Sequence, residues 1–176
     1  MQTLVIIDAQ NEFSDEGQRP VPEFSMALDA IKKRIEKARY NQSPIAWVRH
    51  FNKLNESPAF IPGTWGSDFL TGLGPDAGSN LEKEFHKEVY GAFTGSDLGE
   101  WLKEIGCDEI LLTGFYTHGC VSTTAREGIM RDYIVRIDPN ATGTIAIEND
   151  YLGSITAADS KLSSDILDLI CKLTYK

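Results

Sequence analysis

Apolar residues fall along the chain in short continuous runs separated by longer amphipathic stretches. Leu4-Val5-Ile6-Ile7, Ile45-Ala46-Trp47-Val48, Glu109 to Thr113 and Tyr133 to Ile137 are four such runs, rich in β-branched side chains. Runs without polar alternation suit strands covered on both faces, as in a parallel sheet. Between the first two, Pro22 to Tyr40 reads as a helix, with Ala27, Ile31, Ile35 and Ala38 on one face and Lys32, Lys33 and Glu36 outward. Glu82 to Val89 is expected to form a further short strand. A helix near Ser96 should turn Leu98, Trp101, Leu102 and Ile105 inward. Another helix, through about Met130, follows the fourth strand, and Ser160 to Leu173 predicts a last one. Asp138-Pro139 marks the exit of the fifth strand. Asn140 to Tyr151 is less readable, polar except for Ile145-Ala146-Ile147. Strands alternating with helices predict a single domain over 1–176 with a three-layer, Rossmann-like α/β fold and a mostly parallel sheet of five or six strands.

Asn52 to Asn80 breaks the pattern with Pro, Gly, Ser, Asn and aromatic residues. Loops this long are often functional, and Phe60, Trp65 and Phe69 offer either an apolar wall or pins to the core. The chain has 17 basic and 26 acidic residues, a net charge of -9. No basic field compensates phosphate, so neither nucleic acid nor an acidic membrane surface is an expected partner. Three cysteines without C-x-x-C spacing suggest neither a disulfide framework nor a thiolate zinc site. With no basic leader or long apolar segment at the start, the expected location is the cytoplasm.

Three reactive side chains occupy comparable places: Asp8 after the first strand, Lys87 on the third, and Cys120 after the fourth, where a helix begins. The C-terminal edge of an open α/β sheet is where such folds bind ligands. A helix N-terminus also lowers a thiol pKa from its usual value of about 8.5. If the sheet is ordered 3-2-1-4-5, Asp8 and Cys120 face one another. Asp8 would then accept the thiol proton, Lys87 would stabilise the anion, and backbone N–H groups of Tyr116 and Cys120 would hold a developing oxyanion. Each residue has a plainer reading: Cys120 as a small buried hydrophobe, Asp8 as a cap, Lys87 as a solvated cation. A Cys120–His118 pair competes as an alternative catalytic arrangement, and His50 ends the second strand on the same side.

Four segments occur in family order: V-I-I-D-A-Q-N around Asp8, P-G-T-W-G at Pro62 to Gly66, K-E-V-Y-G-A-F-T-G-S-D-L from Lys87, and G-F-Y-T-H-G-C-V-S-T-T-A from Gly114. Together they resemble the isochorismatase-like cysteine hydrolases, which include nicotinamidases and N-carbamoyl amide hydrolases. The resemblance implies strand order 3-2-1-4-5-6, an Asp8-Lys87-Cys120 triad, a cis peptide at Phe115-Tyr116, Gln10 at the site rim, and oligomerisation. Gln10, Phe13, Phe60, Trp65, Tyr90, Tyr116 and His118 are the expected pocket residues. Nicotinamidases carry a metal site of an Asp and two His after the second strand. Here W-V-R-H-F-N-K-L-N-E offers only His50, so no metal or other cofactor is expected. The implied activity is amide or ureido hydrolysis through a thioester. Vinyl ether hydrolysis of the isochorismatase type and a non-catalytic protein retaining the fold are the alternatives.

Overall fold

A computed structural model of the chain describes residues 1–53, 55–149 and 153–155. Five strands form one parallel sheet: β1 (Gln2–Ile7), β2 (Ile45–His50), β3 (Glu82–Lys87), β4 (Glu109–Phe115) and β5 (Ile134–Gly143). Their order is β3-β2-β1-β4-β5. Helices α1 (Phe24–Tyr40), α2 (Leu98–Glu104) and α3 (Ser122–Ile129) cover it.

The uninterrupted apolar character of β1 follows from its central place. Leu4 and Ile6 face the layer formed by Ile31 and Ile35 of α1, whereas Val5 and Ile7 face Leu98, Leu102, Val121 and Ala125. Successive side chains on a strand point to opposite faces, so a strand buried twice has no polar phase. Helix α1 buries the stripe Ala27, Ile31, Ile35 and Ala38. Arg34 on the same helix donates to Asp138 Oδ2 at 2.5 Å, tying α1 to β5.

Strand β5 runs past the expected stop at Asp138-Pro139. Leu112 pairs with Ile137 and Gly114 with Thr142, so β5 bulges between the two pairs. An unpaired bulge accommodates proline, which has no N–H for the ladder. Among the described residues, none after β5 extends the sheet. Ile147–Asn149 and Gly153–Ile155 instead form a separate antiparallel pair. The helix expected at Ser160 to Leu173, with Cys171, lies outside the described residues. No helix among the described residues is long and apolar enough to cross a membrane.

Register sets the site. Ile7 is level with Val48 on one side and Gly114 on the other. His50 is level with Lys87 on β3. Asp8, His50, Lys87 and the turn after β4 therefore converge at the C-terminal edge of the sheet.

Candidate active site

Asp8 leaves β1 with φ of +52°, a left-handed conformation uncommon for residues with a side chain. The turn after β4 contains the Phe115–Tyr116 peptide in cis. It then winds through one π-helical segment, Thr117–Val121, before α3 begins. The Tyr116 carbonyl accepts from both Gly119 N–H at 3.1 Å and Val121 N–H at 3.2 Å, which curls the chain and presents Cys120 over the sheet edge. Irregular helical turns of this kind recur at functional sites.

Lys87 is the centre of the arrangement. Its side chain is wholly buried, with Nζ 2.8 Å from Asp8 Oδ2, 3.2 Å from Cys120 Sγ and 3.1 Å from His50 Nδ1. An ammonium has three protons, and here three acceptors surround it. Burial opposes the charge on Lys87, but the Asp8 carboxylate and Cys120 outweigh it and the pKa is raised. Asp8 Oδ1 is buried and makes no hydrogen bond among the described residues, leaving it available to a proton.

Cys120 departs from the expectation drawn from its place at a helix start. Burial pushes its thiol pKa up, the Asp8 charge pushes it further, and Lys87 opposes both without prevailing. The resting group is a thiol, so its proton must leave as it reacts. The Cys120–His118 pair is not assembled: His118 Nδ1 contacts Thr144 Oγ1, and its ring stacks on Tyr116 with centroids 5.5 Å apart.

A cavity of about 480 Å³ opens over Cys120, with Asp8, Phe13, His50, Phe60, Tyr90, Tyr116 and His118 in its wall. Phe13 packs against Phe60 and Tyr116 at 5.1 and 4.8 Å between centroids. Burial pushes the Tyr116 phenol up to about 12, so it stays protonated, donating to Arg19 O at 3.0 Å. Two expected pocket residues are elsewhere. The Gln10 side chain is spent on the backbone, accepting from His50 N–H and donating to the His50 and Ser67 carbonyls at 2.8 to 3.0 Å. Trp65 is 50% exposed and outside the cavity wall.

Sequence reasoning missed Arg19, Asn52, Glu56, Ser57 and Thr123, which also line the cavity. All but Thr123 lie in loops leaving the C-terminal ends of β1 and β2, the one signal that pointed to them. The buried Glu12 carboxylate ties those loops together, accepting from Phe60 N–H at 3.1 Å and Gln18 N–H at 2.9 Å.

A family model for the isochorismatase domain matches residues 2–163. The chain belongs to the isochorismatase family. Among isochorismatase-family relatives is the secreted isochorismatase effector Isc1 of Verticillium dahliae, 34% identical over 140 residues that cover 80% of this chain and 71% of that protein. An isochorismatase from Pseudomonas putida superposes with a TM-score of 0.85 at 29% identity, covering 94% of this chain and 82% of that one. N-carbamoylsarcosine amidase from Thermoplasma acidophilum superposes with a TM-score of 0.75 at 25% identity, covering 81% and 84%. The family is one of hydrolases, and strand order 3-2-1-4-5 is its α/β architecture.

His50 does not resemble a metal ligand of this isochorismatase-family chain. Its Nδ1 faces Lys87 Nζ, and since the ammonium can only donate, Nδ1 accepts. Nε2 then carries the proton and donates to Asn52 Oδ1 at 2.8 Å, while Asn52 Nδ2 donates to Ala59 O. Both ring nitrogens are thus engaged. Among the described residues no three His, Cys, Asp or Glu side chains converge as a metal site would need.

Burial and then Lys87 hold the His50 pKa below its ordinary value, against weaker raising by Asp8, Asn52 and Glu56. The folded state therefore prefers neutral His50, and its stabilising contribution is present above pH about 6.5. That contribution is lost as pH falls through the depressed folded value, where protonation sets a second cation against Lys87. Thermal melting of the wild type is expected to weaken over that acid range, whereas His50→Asn, which keeps an acceptor but does not titrate, should lack this component. Parallel melting-temperature profiles for the two proteins between pH 4 and 7 would contradict this role of His50.

Proposed function

We propose that this isochorismatase-family hydrolase is a metal-independent cysteine amidohydrolase acting on a small amide or ureido C–N bond. The observation carrying this reading is one buried ammonium, Lys87, within 3.2 Å of both the Asp8 carboxylate and the Cys120 sulfur. Asp8 takes the thiol proton as Sγ bonds to the substrate carbonyl carbon, and the carbonyl electron pair moves onto oxygen. Lys87 balances the charge passing between sulfur and carboxylate, and backbone N–H groups of Tyr116 and Cys120 receive the oxyanion.

Collapse of the tetrahedral species breaks the C–N bond, with the Asp8 proton leaving on ammonia or the amine. A thioester on Cys120 remains. Asp8, again a carboxylate, takes a proton from water as the oxygen attacks the thioester. The second collapse releases the acid and returns the thiol. Phe13, Phe60 and Tyr116 offer flat apolar surface to a small planar acyl group. A carboxylate, an ammonium and a thiol in contact beside one cavity support this reading.

Intact-mass spectrometry after acid quench during turnover of a panel of small amides and ureido compounds tests the covalent step. The expected result is an acyl adduct on Cys120 that forms and decays with ammonia release. Steady ammonia release without any adduct, when hydrolysis of the thioester is slowed at low temperature, would count against the thioester route.

A further inference from the structure

Glu12 is a buried carboxylate that the chemistry at Cys120 does not use. It is 3% exposed, and among the described residues no Lys, Arg or His nitrogen lies within 4.0 Å of it. Burying such a group without a cation is costly, so its hydrogen bonds have to hold it there. Oε1 accepts from Phe60 N–H at 3.1 Å, and Oε2 accepts from Gln18 N–H at 2.9 Å. The P-G-T-W-G segment completes the seat. Asn11 Nδ2 donates to Trp65 O at 2.8 Å, beside Gly66. A Cβ built on Gly66 would lie 2.2 Å from Glu12 Oε1, so the glycine leaves the room that this carboxylate fills.

Phe60 is where the backbone is strained. Its φ is +58°, in the left-handed region that bulky side chains seldom adopt. Rotation about N–Cα sets φ, so a partner that fixes the direction of the N–H helps to fix it, and Glu12 is that partner. On the other side the Phe60 carbonyl accepts from Asn52 N–H at 3.1 Å. Held in this way, the Phe60 ring stands in the cavity wall, 5.1 Å from the Phe13 ring and edge-on to His50 at 5.4 Å between centroids. Released, Phe60 would turn toward negative φ and its ring would leave Phe13. Glu12 is not itself in the wall, so its influence on a ligand passes through Phe60.

We propose that Glu12 is a positioning residue, which holds Phe60 in its left-handed turn and so sets an aromatic wall beside Cys120 against which flat ligands bind. Its consequence for turnover rests on the amidohydrolase reading: Glu12 governs how the acyl group is held, and Asp8, Lys87 and Cys120 make and break the bonds. Two changes remove the hold by different routes. Glutamine at position 12 has one acceptor oxygen, so its amide N–H would face a backbone N–H, donor against donor. Alanine at position 66 displaces the carboxylate without altering it, because the atoms it meets are the end of the flexible Glu12 side chain.

Alkylation of Cys120 by two matched reagents, iodoacetamide and the flat iodoacetanilide, tests this without any turnover. Rates are read on the Cys120 peptide by mass spectrometry and divided by those of free glutathione. In the wild type the aromatic reagent is expected to saturate and to be favoured about tenfold, the scale of one aromatic contact. Glu12→Gln and Gly66→Ala should each remove that preference by raising the half-saturating concentration, with the saturated rate and the iodoacetamide rate kept within about twofold. Phe60→Ala should also remove it, and adding Glu12→Gln should then change nothing further, as residues acting through one another do. A wild type without aromatic preference, a preference that survives either Glu12→Gln or Gly66→Ala, or an equal fall in both reagents would overturn the assignment, as would a further loss in the double variant. Should Glu12→Gln fail to fold, Gly66→Ala decides. Ammonia release is measured apart: the labelling contrast without any ammonia release would retire the amidohydrolase reading alone.

Discussion

Asp8→Asn is expected to lower kcat/KM for amide hydrolysis by roughly four orders of magnitude, the scale of losing a general base that works as one unit with a nucleophile. The replacement is nearly isosteric, so the loss is one of proton affinity and charge. In the wild type the thiol is held protonated first by burial and then by the Asp8 charge. Removing that charge leaves Lys87 unopposed beside Sγ at 3.2 Å. The thiol pKa must then fall and the thiolate fraction at neutral pH must rise. The two readouts are therefore expected to move in opposite directions. Iodoacetamide should alkylate Cys120 faster in Asp8→Asn than in the wild type, while turnover nearly vanishes. Asp8→Asn combined with Cys120→Ala should be no worse than the poorer single variant, since neither group works without the other. Turnover within tenfold of wild type in Asp8→Asn would remove Asp8 from the mechanism, whatever the alkylation rate.

The sequence made some of this legible and hid the rest for physical reasons. Strand β1 was readable because burial on both faces erases the polar phase, and Asp8 then marks its end as the first polar residue. Convergence of Asp8, Lys87 and Cys120 rests on strand order and on pairings such as His50 with Lys87, which no local pattern encodes; the resemblance to a family supplied it. The Cys120 thiol was misjudged because a helix start is visible in sequence, whereas burial and a neighbouring carboxylate are tertiary. Gln10 and Trp65 went astray differently. A fully buried amide must satisfy its own donors and acceptors, and Gln10 does so on the His50 and Ser67 backbone. Arg19, Asn52 and Ser57 belong to loops without any period, so only the edge of the sheet they leave from hinted at them. Pro139 read as a strand end because a bulge cannot be inferred from one proline.

Gly114→Ala is expected to destabilise the protein by about 4 kcal/mol or more, among the large effects reserved for a blocked backbone position. Gly114 has φ of +109°, and a Cβ built there would lie 1.8 Å from the carbonyl oxygen of Ile7. That oxygen is backbone in the central strand, so no rotamer relieves the clash. The glycine also pairs with Ile7 on β1 and Thr142 on β5, which means relief must come from parting strands on one side or the other. Either movement displaces the residues that follow, Asp8 after Ile7 and the Cys120 turn after Phe115. Gly63→Ala is the matched control, since its φ of +80° carries a similar backbone preference but no atom lies within 4 Å of the added methyl. The control should cost about 1 kcal/mol, a fall of a few degrees in melting temperature for a chain of this size. Gly114→Ala should melt about 10 °C or more below that control, or fail to accumulate as folded protein. Melting temperatures within three degrees of each other would mean that β1 and β4 can part at this level without cost, and the close strand contact would then not be what fixes Asp8 relative to Cys120.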